Sequence, residues 1–95
     1  MKTIHTAEID EFFKAILLLK TEAECYQFFE DVCTVKELLD ISQRLKAAKM
    51  LKRGENYSVI GKETGMSTAT ISRVSRCLEY GSGGYDLVIE RLSED

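Results

Sequence analysis

Apolar residues recur at helical spacing along most of the chain, and the alternation typical of β-strands is almost absent. The first such pattern comprises Ile9, Phe12, Phe13, Ile16 and Leu17. Residues at this spacing share one face of an α-helix, because the helix turns once every 3.6 residues. With Thr6 as its N-cap, the pattern predicts a first helix over residues 7–20.

Two threonine–glutamate pairs predict where the next two helices begin. Thr21 is followed three residues later by Glu24, and Thr34 by Glu37. In such a capping box, the threonine hydroxyl and the glutamate carboxylate each accept a backbone N–H that the helix start leaves unpaired. The second helix is therefore predicted over residues 22–32. Its buried side chains are predicted to be Cys25, Phe28, Phe29 and Val32.

The third predicted helix is the longest, and its apolar residues cover more than half of its circumference. It begins near Val35 and ends where Gly54 can adopt the left-handed conformation that closes a helix. A helix that is apolar on several sides has to be surrounded, and 95 residues supply little to surround it with. We therefore expect a second copy of the chain to cover it, in an obligate, interwoven homodimer.

Residues 57–76 (YSVIGKETGMSTATISRVSR) contain two short helical patterns that meet at a glycine. Gly65 can supply the positive φ of a sharp turn, Ser67 follows as an N-cap, and Gly61 is expected to let the helices approach closely. The residues expected to pin the two helices together are Ile60, Met66, Ile71 and Val74. This spacing predicts a helix-turn-helix over residues 57–78, although a purely structural corner has the same ingredients.

The second helix of this motif is predicted to present short polar and basic side chains to solvent. The outward positions are Thr68, Ala69, Ser72, Arg73 and Arg76. A helix that enters the major groove of DNA needs small residues at its leading end and donors that reach bases or phosphates. We expect base contacts from Thr68, Ala69 and Ser72, and a base or phosphate contact from Arg76. Further phosphate contacts are expected from Lys62, Ser67 and Thr70.

Charge is distributed unevenly around this motif. The chain has 13 Lys and Arg and 16 Asp and Glu, but residues 41–78 have a net charge of +6. Residues 1–40 have a net charge of −5 and residues 79–95 one of −4. A basic middle between acidic flanks indicates an anionic partner for the middle segment. A solvated helix face is the simpler interpretation for three of its residues, Lys46, Lys49 and Lys52.

Length and composition limit the remaining possibilities. Ninety-five residues make room for a single domain, predicted over residues 1–95. The longest aliphatic run, Ala15 to Leu19, is too short to cross a bilayer and lacks a basic segment before it, so we expect a cytoplasmic protein. A short closing helix is predicted after Gly81–Gly84, and its apolar face is expected to serve dimer or core packing through Tyr85, Val88, Ile89 and Leu92. The predicted dimerisation helices span residues 7–53 and 85–93.

Metal chemistry and catalysis find little support. The cysteines, Cys25, Cys33 and Cys77, share no metal-binding spacing with each other or with His5, the one histidine. We expect them to be small buried apolar residues, with metal or redox chemistry as the alternative. No nucleophile stands beside a base and no glycine-rich phosphate loop occurs, so we expect neither an enzyme nor a metal site.

From about Ala7 to Leu92 the sequence resembles the Trp repressor superfamily, and within it the Trp repressor-like YerC/YecD family. The resemblance is carried by FFEDVCTVKELLDISQRLKAAKML, RGENYSVIGKETG and STATISRVSRCLEYG. It implies an all-α, six-helix Trp repressor-like fold with a helix-turn-helix, in an intertwined homodimer that binds operator DNA. The implied function is that of a transcriptional regulator, expected to repress amino-acid metabolism genes. A protein-interaction module that keeps the fold without recognising DNA is the alternative.

The resemblance also implies a candidate effector site. The positions that bind tryptophan in the Trp repressor correspond here to Thr34, Arg44 and Arg73, but its glycine and serine are replaced by Val74 and Cys77. The branched side chain of Val74 would fill the slot for the indole ring, so tryptophan is not the expected ligand. A smaller amino acid, such as histidine, and no ligand at all are the two alternatives. The two arginines can equally serve phosphates or ion pairs.

Overall fold

Six α-helices make up the regular structure of residues 4–93, the part of the chain that the computed structural model describes. They are α1 (Ala7–Ile16), α2 (Glu22–Val32), α3 (Val35–Lys52), α4 (Tyr57–Thr64), α5 (Thr68–Tyr80) and α6 (Gly84–Ser93). No strand occurs within these residues, so the all-α prediction is confirmed. The chain divides into two compact units, one ending at Leu38 and the other beginning at Leu39.

Helix α1 is four residues shorter than predicted. The N–H groups of Leu18 and Leu19 donate to carbonyls three residues back, at Ala15 and Ile16, so the α-helical bonding ends there. The N–H of Lys20 instead donates to the Glu24 carboxylate at 2.8 Å and belongs to the start of α2. The leucines continue the apolar pattern, but this cap sets the end of the helix.

The N-terminal unit has an aromatic cluster formed by α1 and α2. The ring centroid of Phe12 lies 5.9 Å from that of Phe28 and 6.3 Å from that of Phe29. These separations are typical of stabilising aromatic pairs. Both α2 phenylalanines are half-buried, whereas Cys25 and Val32 are exposed, so the predicted burial of the latter two is wrong within one chain. Periodicity identified the face of α2 but not how much of it the short α1 covers.

The threonine–glutamate pairs cap α2 and α3 as predicted. The hydroxyl of Thr21 accepts the Glu24 N–H at 3.1 Å. At α3 the box is fully reciprocal: the Glu37 N–H donates to the Thr34 hydroxyl at 3.1 Å, and the Thr34 N–H donates to the Glu37 carboxylate at 2.8 Å. The Thr34 N–H is the larger cause that holds the pKa of the Glu37 carboxyl below its ordinary value, and the Thr34 hydroxyl is the smaller one.

The C-terminal unit is built on one apolar core contributed by three helices. Its buried residues are Ala47, Ala48 and Met50 of α3, Ile60 of α4, and Ile71 and Val74 of α5. Two ion pairs connect α3 to its neighbours: Lys46 lies 3.6 Å from Glu63 of α4, and Lys52 lies 2.5 Å from Asp86 of α6. Gly54, with φ 84°, follows the end of α3 as predicted.

Much of the apolar surface of the helices is left uncovered. In α3, Val35 is 78% exposed, and Leu39 and Ile41 are each more than half exposed. Only six apolar residues of the described chain are buried, which is few for a domain of this length. Helix α3 thus has apolar residues that are exposed in one chain, as predicted, and the homodimer that would cover them stays a prediction.

The expectation of buried cysteines is wrong for a single chain. Cys25 and Cys77 are exposed and Cys33 is half-buried, and all three are free thiols. Among the residues described, no three His, Cys, Asp or Glu side chains come close enough to hold a metal ion. None of the helices within residues 4–93 is both long and apolar enough to cross a membrane.

Candidate nucleic-acid interface

The turn between α4 and α5 is fixed by local hydrogen bonds. Gly65 ends α4 in the left-handed conformation, with φ 74° and ψ 7°, and its N–H donates to the Gly61 carbonyl at 2.8 Å. The Thr64 hydroxyl donates to the Ile60 carbonyl at 2.7 Å and accepts the Met66 N–H at 3.1 Å. A sharp, defined turn follows, with Gly65 in the role the sequence predicts.

Gly61 does not have the role predicted for it. A Cβ built at this position would lie 3.5 Å from the Met66 carbonyl oxygen, an ordinary van der Waals contact. The two helices therefore do not approach closely enough here to require glycine. The apolar residues hold them together instead, because Ile60, Ile71 and Val74 are buried and Met66 packs against them.

Helix α5 has an apolar face and a polar face on opposite sides. Ile71, Val74 and Leu78 lie on the core side. Successive residues are about 100° apart around a helix, which places Ala69, Ser72, Arg73 and Arg76 towards the opposite side and Thr68 at its edge. Ser72 is half-buried and the other four are exposed. We call these five residues the groove face; the chain presents them outward as the sequence predicts, and their contacts with DNA stay a prediction.

The start of α5 is closed by its own hydroxyl groups. The Ser67 hydroxyl accepts the Thr70 N–H at 3.2 Å, which confirms Ser67 as the N-cap, and it lies 3.0 Å from the Thr70 hydroxyl. Both predicted phosphate-binding hydroxyls are thus engaged within the helix start. The N–H groups of Thr68 and Ala69 and the exposed Lys62 of α4 remain as donors for an anion at this end of the motif.

The two acidic residues of the basic segment are already paired. The Glu55 carboxylate lies 2.8 Å from the guanidinium of Arg53, and Glu63 is paired with Lys46. Within residues 4–93, five basic residues of this segment have no carboxylate within 4.0 Å: Arg44, Lys49, Lys62, Arg73 and Arg76. Their charge is available to an external anion, and two of the five lie on the groove face.

Two candidate effector residues, Arg44 and Cys77, lie within electrostatic range of Tyr85 of α6, which the sequence predicts only as a packing residue. Burial raises the pKa of Tyr85, the nearby Cys77 raises it further, and the charge of Arg44 opposes them. Both groups are therefore within electrostatic range of the tyrosine hydroxyl. Arg73 lies one turn before Cys77 on α5, and Thr34 caps α3 in the N-terminal unit. No spacing in the sequence indicates that Arg44 and Cys77 lie near Tyr85, because this depends on where α6 packs.

Comparison with known proteins agrees with this architecture. The family model described as Trp repressor protein matches residues 7–93. An uncharacterized protein of Bacillus subtilis, YerC, is 51% identical over 87 residues, which cover 92% of this chain and 84% of that protein.

Two crystal structures are also similar. A proposed Trp repressor from Staphylococcus aureus superposes with a TM-score of 0.90 at 49% identity, covering 96% of this chain and 91% of its own. A TrpR-like protein from Eubacterium eligens does so with a TM-score of 0.90 at 55% identity, covering 93% and 91%. Trp repressor proteins are regulators and not enzymes. The chain belongs to the Trp repressor protein family.

Proposed function

We propose that this protein is a sequence-specific DNA-binding transcriptional regulator that binds operator DNA as a homodimer. The observation that carries the proposal is the groove face of α5, which is short, polar and basic and lies opposite the buried face of the same helix. Such a helix enters the major groove with its core contacts intact. The pairing of Glu55 and Glu63 supports the same function, and Arg73 and Arg76 have no carboxylate within 4.0 Å among the described residues.

Each residue of the groove face has a proposed partner on DNA. Thr68 and Ser72 would hydrogen-bond base edges, and the methyl group of Ala69 would contact a thymine methyl. Arg73 and Arg76 lie further along the helix, where their longer side chains would reach bases or phosphates. The leading end of α5, with Lys62, Ser67 and Thr70 beside it, would hold phosphates.

The proposed dimer places two copies of α5 in successive major grooves. Half-sites would then be about 34 Å apart, one turn of B-DNA, and the operator would be pseudo-palindromic. The uncovered apolar residues of the helices within 7–53 and 85–93 would form the dimer interface. A dimer bound over a promoter blocks transcription, and amino-acid metabolism genes are the targets that the family suggests.

A small-molecule co-repressor other than tryptophan is the second part of the family expectation. Its candidate residues are Thr34, Arg44, Arg73 and Cys77. Val74 is buried in the core with its branched side chain in place of a bare backbone, which argues against an indole ring beside it.

Selection from sheared genomic DNA tests the proposed function. The bound fragments should share a pseudo-palindromic sequence, and mobility shifts on those fragments should weaken for Ser72→Ala and Arg76→Ala. The matched control is Arg91→Ala, which removes an exposed arginine from α6. No shared sequence, with all variants binding alike, would overturn the proposal.

A protein-interaction module is the competing function. Pull-down from a lysate, with and without nuclease, separates the two. Partners that survive nuclease, together with no sequence preference in the selection, would favour the module.

A further inference from the structure

Helix α5 is held in place almost entirely by apolar contacts. Among the described residues, no ion pair connects its side chains to another helix, and the hydrogen bond between Ser67 and Thr70 closes its own start. Its position therefore depends on the fit of Ile71, Val74 and Leu78 against their neighbours. Within this unit, α4 and α6 approach α5 most closely, and α3 shares its buried core.

Helix α6 contributes an aromatic ring, that of Tyr85, to the apolar contacts around α5. Tyr85 and Ile89, one turn apart, pack against the core cluster that includes Val74, whereas Leu87 and Val88 remain about half exposed. The first turn of α6 is tied to the end of α3 by the ion pair between Lys52 and Asp86. Asp86, the next residue after Tyr85, is thus fixed to α3, and this ion pair anchors the start of α6.

Tyr85 also packs against the core cluster that includes Val74, the residue at the position expected for the indole ring. Arg44 and Cys77 are within electrostatic range of its hydroxyl, and its ring is partly buried. A ring that bears a polar group, packs against an apolar core and lies within electrostatic range of an arginine has the chemical character of an aromatic effector.

We infer that Tyr85 is a built-in substitute for a small-molecule effector: its ring holds α5 in the position that binds DNA, with no added ligand. This inference rests on the proposed DNA-binding function. It makes Tyr85 a positioning residue, because it acts on DNA through α5. The protein would bind its operator in the absence of amino acids. If the ring of Tyr85 were removed, operator binding would depend on an added ligand.

The test replaces the tyrosine and supplies its side chain in solution. In anisotropy titrations, Tyr85→Ala should bind the selected operator about tenfold more weakly than the wild type, since α5 then occupies its binding position only part of the time. Addition of p-cresol, which is the tyrosine side chain as a free molecule, should restore most of the affinity. Tyr85→Phe keeps the ring and should bind within about twofold of wild type. The matched control is Arg91→Ala, because Arg91 is an exposed residue of the same helix α6 and lies outside the core cluster.

Amide hydrogen exchange provides a readout that needs no DNA. In Tyr85→Ala, the amides of α5 should exchange about tenfold faster, and p-cresol should slow them again. Should that variant fail to fold by circular dichroism, Tyr85→Leu serves in its place, since it keeps apolar packing without the ring.

Three results would overturn the inference. The first is that the wild type needs an added amino acid to bind its operator. The second is that Tyr85→Ala binds the operator as the wild type does. The third is that p-cresol does not change the operator affinity of Tyr85→Ala. Failure of the wild type to bind any DNA would instead overturn the proposed function, and hydrogen exchange would still decide whether Tyr85 positions α5.

Discussion

Gly65 and Gly61 stand four residues apart in the helix-turn-helix, and their backbones make different demands. Gly65 has φ 74°, a conformation that L side chains rarely adopt, whereas Gly61 is helical and has room for a methyl group. Gly65→Ala should therefore lower the free energy of unfolding by about 1 kcal/mol. Gly61→Ala should leave it unchanged or raise it by up to about 1 kcal/mol, because alanine favours the helix.

Urea denaturation of the two variants measures this difference. Equal destabilisation by both would contradict the account of the turn, since it would mean that close approach at Gly61 matters as much as the left-handed backbone at Gly65.

Ser67 allows helix capping to be separated from DNA binding. Ser67→Ala removes the acceptor of the Thr70 N–H and should cost about 1 kcal/mol of stability. Ser67→Asp keeps an N-cap acceptor and should retain that stability, but its negative charge should weaken DNA binding by repelling phosphates. Thermal unfolding and anisotropy titration together measure both effects. An aspartate variant that binds DNA as well as the wild type would place this end of α5 away from the phosphates.

Individual residues were predictable wherever their role is local. Gly65 and Ser67 act through bonds to residues within four positions, and such bonds leave a clear pattern in sequence. The exposure of Cys25 and Cys77 was not predictable, because it depends on how far neighbouring helices extend over them. Tyr85 was predicted to pack, but its closeness to Arg44 and Cys77 was not predictable, for the same reason.

At the level of the helices, the start of α3 should be sensitive to acid. The Thr34 N–H, and to a smaller extent its hydroxyl, favour the ionised form of Glu37 and hold its pKa below the ordinary 4.5. A lowered pKa means that the stabilisation is present above the ordinary value and is lost as the pH falls through the pKa of the folded protein. The first turn of α3 should therefore loosen only in that acidic range.

An NMR titration of the Glu37 side chain measures this pKa directly. Thr34→Ala should move the value part of the way back towards 4.5, because only the smaller, hydroxyl contribution is removed. A Glu37 pKa at the ordinary value in the wild type would contradict the reciprocal cap.

Helix starts were predicted better than helix ends. Thr6, Thr21, Thr34 and Ser67 each accept a backbone N–H three residues ahead, as the sequence indicates. The end of α1 was placed too late, because the apolar pattern continues through Leu19 while the Lys20 N–H goes to Glu24. Competition between two helices for one backbone group is not visible in hydrophobic periodicity.

For the whole molecule, the exposed apolar residues predict self-association. Leu39 is 55% exposed on the long helix α3. In a dimer that buries this surface, Leu39→Glu would bury a charge without a partner and should shift the protein to monomer at micromolar concentration. Sedimentation equilibrium measures the shift, with Lys49→Glu on the same helix as the control. A wild-type monomer, or an unaffected Leu39→Glu dimer, would contradict the proposed assembly.

The fold class of the molecule could be predicted because six amphipathic helices and their caps depend on residues that are close together in the sequence. The pairing of those helices could not, since the burial of Ala47, Ile60 and Ile71 in one core depends on contacts between distant residues. The groove face followed from periodicity alone, once the core side of α5 was identified. The neighbourhood of Arg44, Cys77 and Tyr85 became apparent only with the placement of α6.

The central claim is that the groove face of α5 recognises a DNA sequence, and a salt-dependent anisotropy titration tests it most directly. The selected operator should bind at least about a thousandfold more tightly than a scrambled duplex at physiological salt. Arg76→Ala should weaken binding and, if its partner is a phosphate, reduce the slope of log affinity against log salt by about one. Equal affinity for operator and scrambled duplex, unchanged by Arg76→Ala, would contradict the account.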